Sequence, residues 1–219
     1  VPRPAPRSGG SLGPRSSTAR QSLRTGGWAN PTQGGERKFT DVSGTLAPAF
    51  GSSAFTTPGP TFLLNGLVPD STATGRIGRK VVMKSLYFRY SAQLAPTSTQ
   101  GSPIRIIIVY DKQANTQAPG VTDILLADSF TSPNNLSNRD RFVILADEVT
   151  EPVSTGGTYA VAGVIYKKLN LETMFNAGTA GTIGDITSGS VYVLAAQTSN
   201  VLVAAPTVIF RSRIRYTDN

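Results

Sequence analysis

Cysteine and histidine are both absent from the 219 residues, and tryptophan occurs once. Without cysteine the chain has no disulfide and no thiol nucleophile, and without histidine it has no Ser/His/Asp triad and none of the usual zinc ligand sets. A non-enzyme without cofactor or metal is therefore expected. No apolar run approaches the roughly 18 residues that cross a bilayer, so a soluble protein with no membrane span is expected. The lack of disulfides suits a reducing cell interior but does not fix a compartment. Gly178, Gly181 and Gly184 are spaced GxxGxxG, without the dinucleotide fingerprint or a Walker Lys-Ser/Thr, and read as a flexible loop before a strand. The sequon Asn135-Leu136-Ser137 is short enough to arise by chance.

Acidic residues are scarce in one place above all. The first 38 positions hold Arg3, Arg7, Arg15, Arg20, Arg24, Arg37 and Lys38 against the single acid Glu36, a net +6. The other fourteen basic and twelve acidic residues give +2, so most of the overall +8 sits on this leader. Pro2, Pro4, Pro6, Pro14 and many Gly, Ser and Thr leave it little apolar surface to offset the entropy of ordering. Residues 1–38 are expected to be a largely disordered arm, and residues 39–219 one folded domain. As a coil the arm reaches about 35 Å on average and about 130 Å when straight. If its seven cations each meet a phosphate of a single strand, log K against log salt slopes by about −5. A basic cluster also fits a nuclear import signal. Trp28, a lone aromatic in this tract, either stacks on a base or anchors the arm.

Beyond the arm, segments rich in Val, Ile, Tyr, Phe and Thr alternate with Gly, Pro and Asn clusters, the pattern of an all-β sandwich or barrel. Eight strands are predicted: Arg37–Ala47, Ala54–Leu67 broken near Pro58–Pro60, Arg79–Leu94, Pro103–Asp111, Arg141–Val149, Thr158–Leu169, Ser190–Thr198 and Pro206–Thr217. Helix is signalled only at Val121–Leu126, with Thr122 as N-cap and Asp123 in the first turn. The surrounding loop, Lys112–Asp140, is too long for a hairpin and is expected on the outside or at subunit contacts.

Arg211, Arg213 and Arg215 alternate with Phe210, Ser212, Ile214 and Tyr216, which puts three guanidinium groups on one face of a strand. Like charges so arranged need anionic company, either nucleic-acid phosphates or carboxylates of a neighbouring strand or subunit. Arg76, Arg79, Lys80, Lys84 and Arg89 mix with Tyr87, Phe88 and Tyr90, either a phosphate-and-base surface or a strand whose aromatics are core. Parity places Lys80, Val82, Lys84, Leu86, Phe88 and Tyr90 on one face. Asp147, Glu148 and Glu151 lack EF-hand spacing and read as a solvated loop or as interfacial partners for arginine rather than as a cation site.

The order of these segments resembles the capsid proteins of small circular single-stranded DNA viruses of the circovirus type, and more loosely those of satellite RNA viruses. The likeness runs through the basic arm, Gly75–Lys80 leading into a strand, Ile108–Asn115, Asn138–Phe142 and the basic strand Arg211–Tyr216. It implies a single eight-stranded jelly roll of two packed four-stranded antiparallel sheets. It further implies a homo-oligomeric icosahedral T=1 shell that packages viral nucleic acid, single-stranded DNA, in a virion with a possible stage in the host nucleus. The arm residues above and Arg211, Arg213 and Arg215 are the expected nucleic-acid contacts. The host attachment factor is unknown. The rival reading is a non-capsid module of the same fold that binds nucleic acid or carbohydrate.

Overall fold

The structure is a computed structural model and describes residues 37–48, 61–94, 101, 103–114, 116–127, 130–152, 159–197 and 206–218. Among these, the strands are β1 Arg37–Leu46, β2 Thr61–Leu63, β3 Lys80–Gln93, β4 Ile104–Asp111, β5 Phe142–Thr150, β6 Ala160–Phe175, β7 Ile186–Ser188, β8 Ser190–Gln197 and β9 Thr207–Asp218. They form a five-stranded sheet in the order β1-β9-β3-β6-β7 and a four-stranded sheet in the order β2-β8-β4-β5. Every pairing is antiparallel. Sequential strands cross repeatedly from one sheet to the other, and this is the jelly-roll arrangement.

The core lies between the sheets. Leu86, Phe88, Tyr90, Phe210 and Ile214 from the five-stranded sheet meet Ile104, Ile106, Ile108, Val191 and Val193 from the other. Phe88 stacks on Phe210 with centroids 5.2 Å apart, and Phe62 of the opposite sheet meets the same ring edge-on at 5.2 Å. Each such side chain stabilises the fold by roughly 1.5–3 kcal/mol on leaving water.

The two sheets are clothed differently. Helix α1, Val121–Ile124, together with Leu125, packs on Ile107, Val109, Tyr192 and Leu194. These four residues point away from the main core, so the long β4–β5 connection seals the outer side of the four-stranded sheet. All eight residues of β4 and of β8 are consequently buried, which explains their nearly unbroken apolar runs. In contrast, β9 alternates buried and exposed along almost its whole length. Among the described residues, its sheet is covered on one face only.

Several expectations shift. A ninth strand, β7, extends one sheet to five strands, where two sheets of four were expected. Strand β2 keeps only Thr61–Leu63 of the second predicted strand among the described residues. Strand β6 continues to Phe175, past the expected end at Leu169, because Leu171, Thr173 and Phe175 resume inward alternation after the consecutive Lys167 and Lys168. Gly120, not Thr122, caps α1, and the Asp123 carboxylate accepts from the Gly120 N–H at 2.7 Å.

The turn between β7 and β8 needs glycine, since Gly189 has φ +82° and a side chain there would strike the Glu172 carbonyl. The freed Gly189 carbonyl accepts from Asn65 Nδ2 and from the Thr173 hydroxyl, both at 2.8 Å. Asn65 Oδ1 in turn accepts from the Val191 N–H at 2.8 Å. One buried amide thus ties together the segment after β2, the end of β6 and the start of β8.

Candidate nucleic-acid interface

Register across the five-stranded sheet assembles its uncovered face from residues far apart in sequence. Arg215 of β9 lies between Phe39 of β1 and Ser85 of β3, and Ser85 pairs onward with Lys168 of β6. In the next row Arg213 lies between Asp41 and Tyr87, and Tyr87 opposes Tyr166. In the third, Arg211 lies between Ser43 and Arg89. Arg211, Arg213 and Arg215 are all exposed, as the alternation of β9 predicts. Together these rows floor an open groove of about 700 Å3.

A β-bulge makes this face possible. Pairing of β3 with both neighbours shifts between Met83 and Ser85. The extra residue reverses the side-chain parity that the sequence implies for the first half of β3. Lys84 therefore leaves the core face and is exposed, with Nζ 3.1 Å from Asn170 Oδ1, while Leu86, Phe88 and Tyr90 remain buried. The two sequence readings of this segment both apply, to different residues: Phe88 and Tyr90 are core, whereas Tyr87 and Arg89 join the arginine row.

Charge on the face is unevenly compensated. Arg213 forms a two-pronged pair with Asp41, Nε to Oδ1 and Nη2 to Oδ2 both at 2.6 Å, and its guanidinium sits 4.7 Å from the centre of the Phe39 ring. The hydrogen bond from Arg213 holds the Asp41 carboxyl below the usual carboxylate value. Among the described residues, Arg89, Arg211 and Arg215 have no carboxylate at ion-pair distance. Arg89 and Arg211 are direct cross-strand neighbours, an arrangement that like-charge repulsion disfavours until an anion lies between them.

The other candidate residues fall in several places. Arg37 is exposed and shares the outward parity of Phe39 and Asp41 on β1. Lys38 is a correction, because it belongs to the strand and not to the arm: its side chain is buried, 3.4 Å from the Asp218 carboxylate. A buried ammonium already facing an aspartate is not presented to phosphate. Arg3, Arg7, Arg15, Arg20, Arg24 and Trp28 lie outside the described residues. Arg76 is buried, stacked 4.5 Å above the Phe175 ring and donating to the carbonyls of Leu67, Gly78 and Gly178. Asp147 lies in strand β5, not in a loop, and takes a two-pronged bond from Arg105 at 2.8 and 2.6 Å. Glu148 accepts from the Tyr90 hydroxyl at 3.4 Å. Tyr166 and Lys168 escape a sequence reading, since only pairing with β3 brings them onto the face that carries the β9 arginines.

Residues 52–219, well over half of the chain, match the family described as satellite tobacco necrosis virus coat protein. The chain belongs to that family. It is a structural protein of the virion, a viral coat protein and not an enzyme. Of the two resemblances drawn from the sequence, the looser one, to satellite virus coat proteins, is thereby supported, and the circovirus-like assignment is corrected. Among solved structures, that of Cocksfoot mottle virus is similar at 13% identity and a TM-score of 0.33, covering 100% of this chain and 97% of that one. A marine algae virus of the order Picornavirales is similar at 14% identity and a TM-score of 0.20, covering 99% of this chain and 84% of that one. A comparison with curated proteins finds no match.

Proposed function

We propose that this coat protein self-assembles into a closed icosahedral shell, of T=1 size, and packages nucleic acid against the uncovered face of its five-stranded sheet. The single observation that carries the reading is the asymmetry of the sandwich. One sheet is sealed by its own β4–β5 connection, whereas the other exposes Arg89, Arg211 and Arg215 without carboxylate partners among the described residues. Such a face gains most when it meets a polyanion. The basic leader adds a sequence-blind tether, and many leaders in one shell raise the effective concentration of cations around the cargo.

Family membership moves the expected cargo from single-stranded DNA to RNA. The expected nuclear stage has no support in the family match. Apolar side chains at the surface supply material for subunit contacts: Ile77, Leu126, Leu136 and Val149 are each more than 60% exposed, and Leu126 and Leu136 both lie in the predicted long connection.

Electron microscopy of the purified full chain, with nuclease treatment of the contents, tests the reading. Uniform spherical particles that protect ribonuclease-sensitive, deoxyribonuclease-resistant material are expected. Monomers or dimers alone over a broad range of salt and pH would overturn it.

A further inference from the structure

Charge alone does not account for the uncovered face. Tyr87 and Tyr166 occupy directly paired positions at its centre, 41% and 54% exposed. Side chains so paired stand about 5 Å apart, near enough to stack on one another. Among the described residues, however, neither ring makes an aromatic or cation–π contact. Both rings thus remain partly open to solvent, although the same sheet buries Phe88, Tyr90 and Phe210 on its other side.

Cations frame these rings. Arg213 adjoins Tyr87 across the sheet but is held by Asp41. Arg89 lies two residues along the strand from Tyr87 and beside Arg211, while Arg215 and Lys168 flank Ser85 on the other side. Successive rows are separated by about 7 Å along the strands. Phosphate-neutralising groups therefore lie on both sides of a pair of open aromatic faces.

Duplex and single strand use such a surface differently. In a duplex each base face is covered by the neighbouring pair, so the arginines find phosphates but the rings find no partner. An unpaired strand offers both, and stacking tolerates any base because each has a π face. We propose that Tyr87 and Tyr166 form a stacking platform for unpaired bases, with Arg89, Arg211 and Arg215 taking the flanking phosphates, so that this face selects single-stranded over duplex segments of the cargo. The proposal rests on the reading that this face meets nucleic acid, and it names the form of nucleic acid bound.

The test uses the full chain with a bromouridine-substituted single-stranded RNA and the same RNA annealed to its complement. Irradiation is expected to crosslink the single strand to peptides containing Tyr87 or Tyr166, and the duplex to neither. The double variant Tyr87→Leu/Tyr166→Leu is expected to lose about tenfold in single-strand affinity with duplex affinity and salt slope unchanged, while Tyr87→Phe/Tyr166→Phe keeps wild-type affinity because the ring suffices. Equal loss for both forms, or no crosslink at either tyrosine, overturns the platform. Arg211→Gln/Arg215→Gln separates the two readings. If it flattens the salt slope while the Leu variant changes nothing, only the platform fails; if it leaves binding and slope unchanged, the face does not meet nucleic acid and both fail.

Discussion

Lys38 Nζ lies 3.4 Å from Asp218 Oδ2, joining the second residue of the first strand to the last residue of the final one. The same carboxylate accepts from the N–H groups of Ile77 and Gly78 at 2.5 and 3.4 Å. Arg37 and Lys38 therefore belong to the folded body, although charge counting groups them with the leader.

Truncation tests that assignment. Removing residues 1–36 is expected to leave body stability unchanged, because the strand starts at Arg37. Removing residues 1–38 also deletes two paired positions of β1 and leaves Asp218 without its buried cation, costing roughly 3 kcal/mol. Urea unfolding of the two truncations measures the difference. Equal midpoints would place Lys38 outside the stabilising structure.

Asp41 tempers the basic face. Asp41→Asn releases Arg213 from its pair, and the salt slope for single-strand binding should steepen by about 0.7, the increment for one added phosphate contact. Acid does the same to the wild type. The folded carboxyl lies below its ordinary 3.8 through its bond with Arg213, so the pair's stabilisation is complete above that value and is lost as pH falls through the lowered one. Filter binding at several salt concentrations reads both effects.

Asp111 and Arg141 connect the covering loop to the sheet beneath. Arg141 Nε and Nη2 donate to the two carboxylate oxygens at 2.9 and 2.8 Å, and the Asp111 side chain is fully buried. Donating to the Asp111 carboxylate raises the guanidinium above its usual pKa. Asp111→Ala is expected to cost about 3 kcal/mol by leaving the guanidinium without its anion. Denaturant unfolding gives the global loss, and hydrogen exchange should show α1 opening first.

Tyr192 sets an alkaline limit. Burial pushes its hydroxyl up to about 12, and burial likewise raises Tyr90 and Tyr110. A raised tyrosine stabilises fully below the ordinary 10 and loses that contribution as pH climbs from there through the folded value. For Tyr192 the loss is roughly 3 kcal/mol. The Ser190 side chain is the one hydrogen-bonding neighbour of its hydroxyl among the described residues, and the contact falls short of good geometry, so Tyr192→Phe should stay close to wild-type stability at neutral pH and unfold at higher pH. Thermal melts between pH 7 and pH 12 follow the difference.

Strands β3, β4, β5, β8 and β9 were legible in the sequence to within a residue or two because composition and turn residues bound them on both sides. The arginine row was legible for a simpler reason, as period two within one strand needs no partner. Tyr166 was not, since its relation to Arg213 passes through Tyr87 and depends on β3 lying between β9 and β6. Lys84 was assigned the wrong side because a bulge adds one residue to the count, and alternation offers no sign of where that happens. Lys38 reads as one more cation of the leader until the far end of the chain supplies its aspartate.

A sandwich padded on one side and, among its described residues, bare on the other has a front and a back. A copy turned around in a curved lattice would direct Arg89, Arg211 and Arg215 at bulk solvent, away from the concentrated anion that offsets their mutual repulsion. In the shell proposed above, orientation of the building block and loading of its contents thus become linked, and the loop that covers β4 and β8 contributes to that choice.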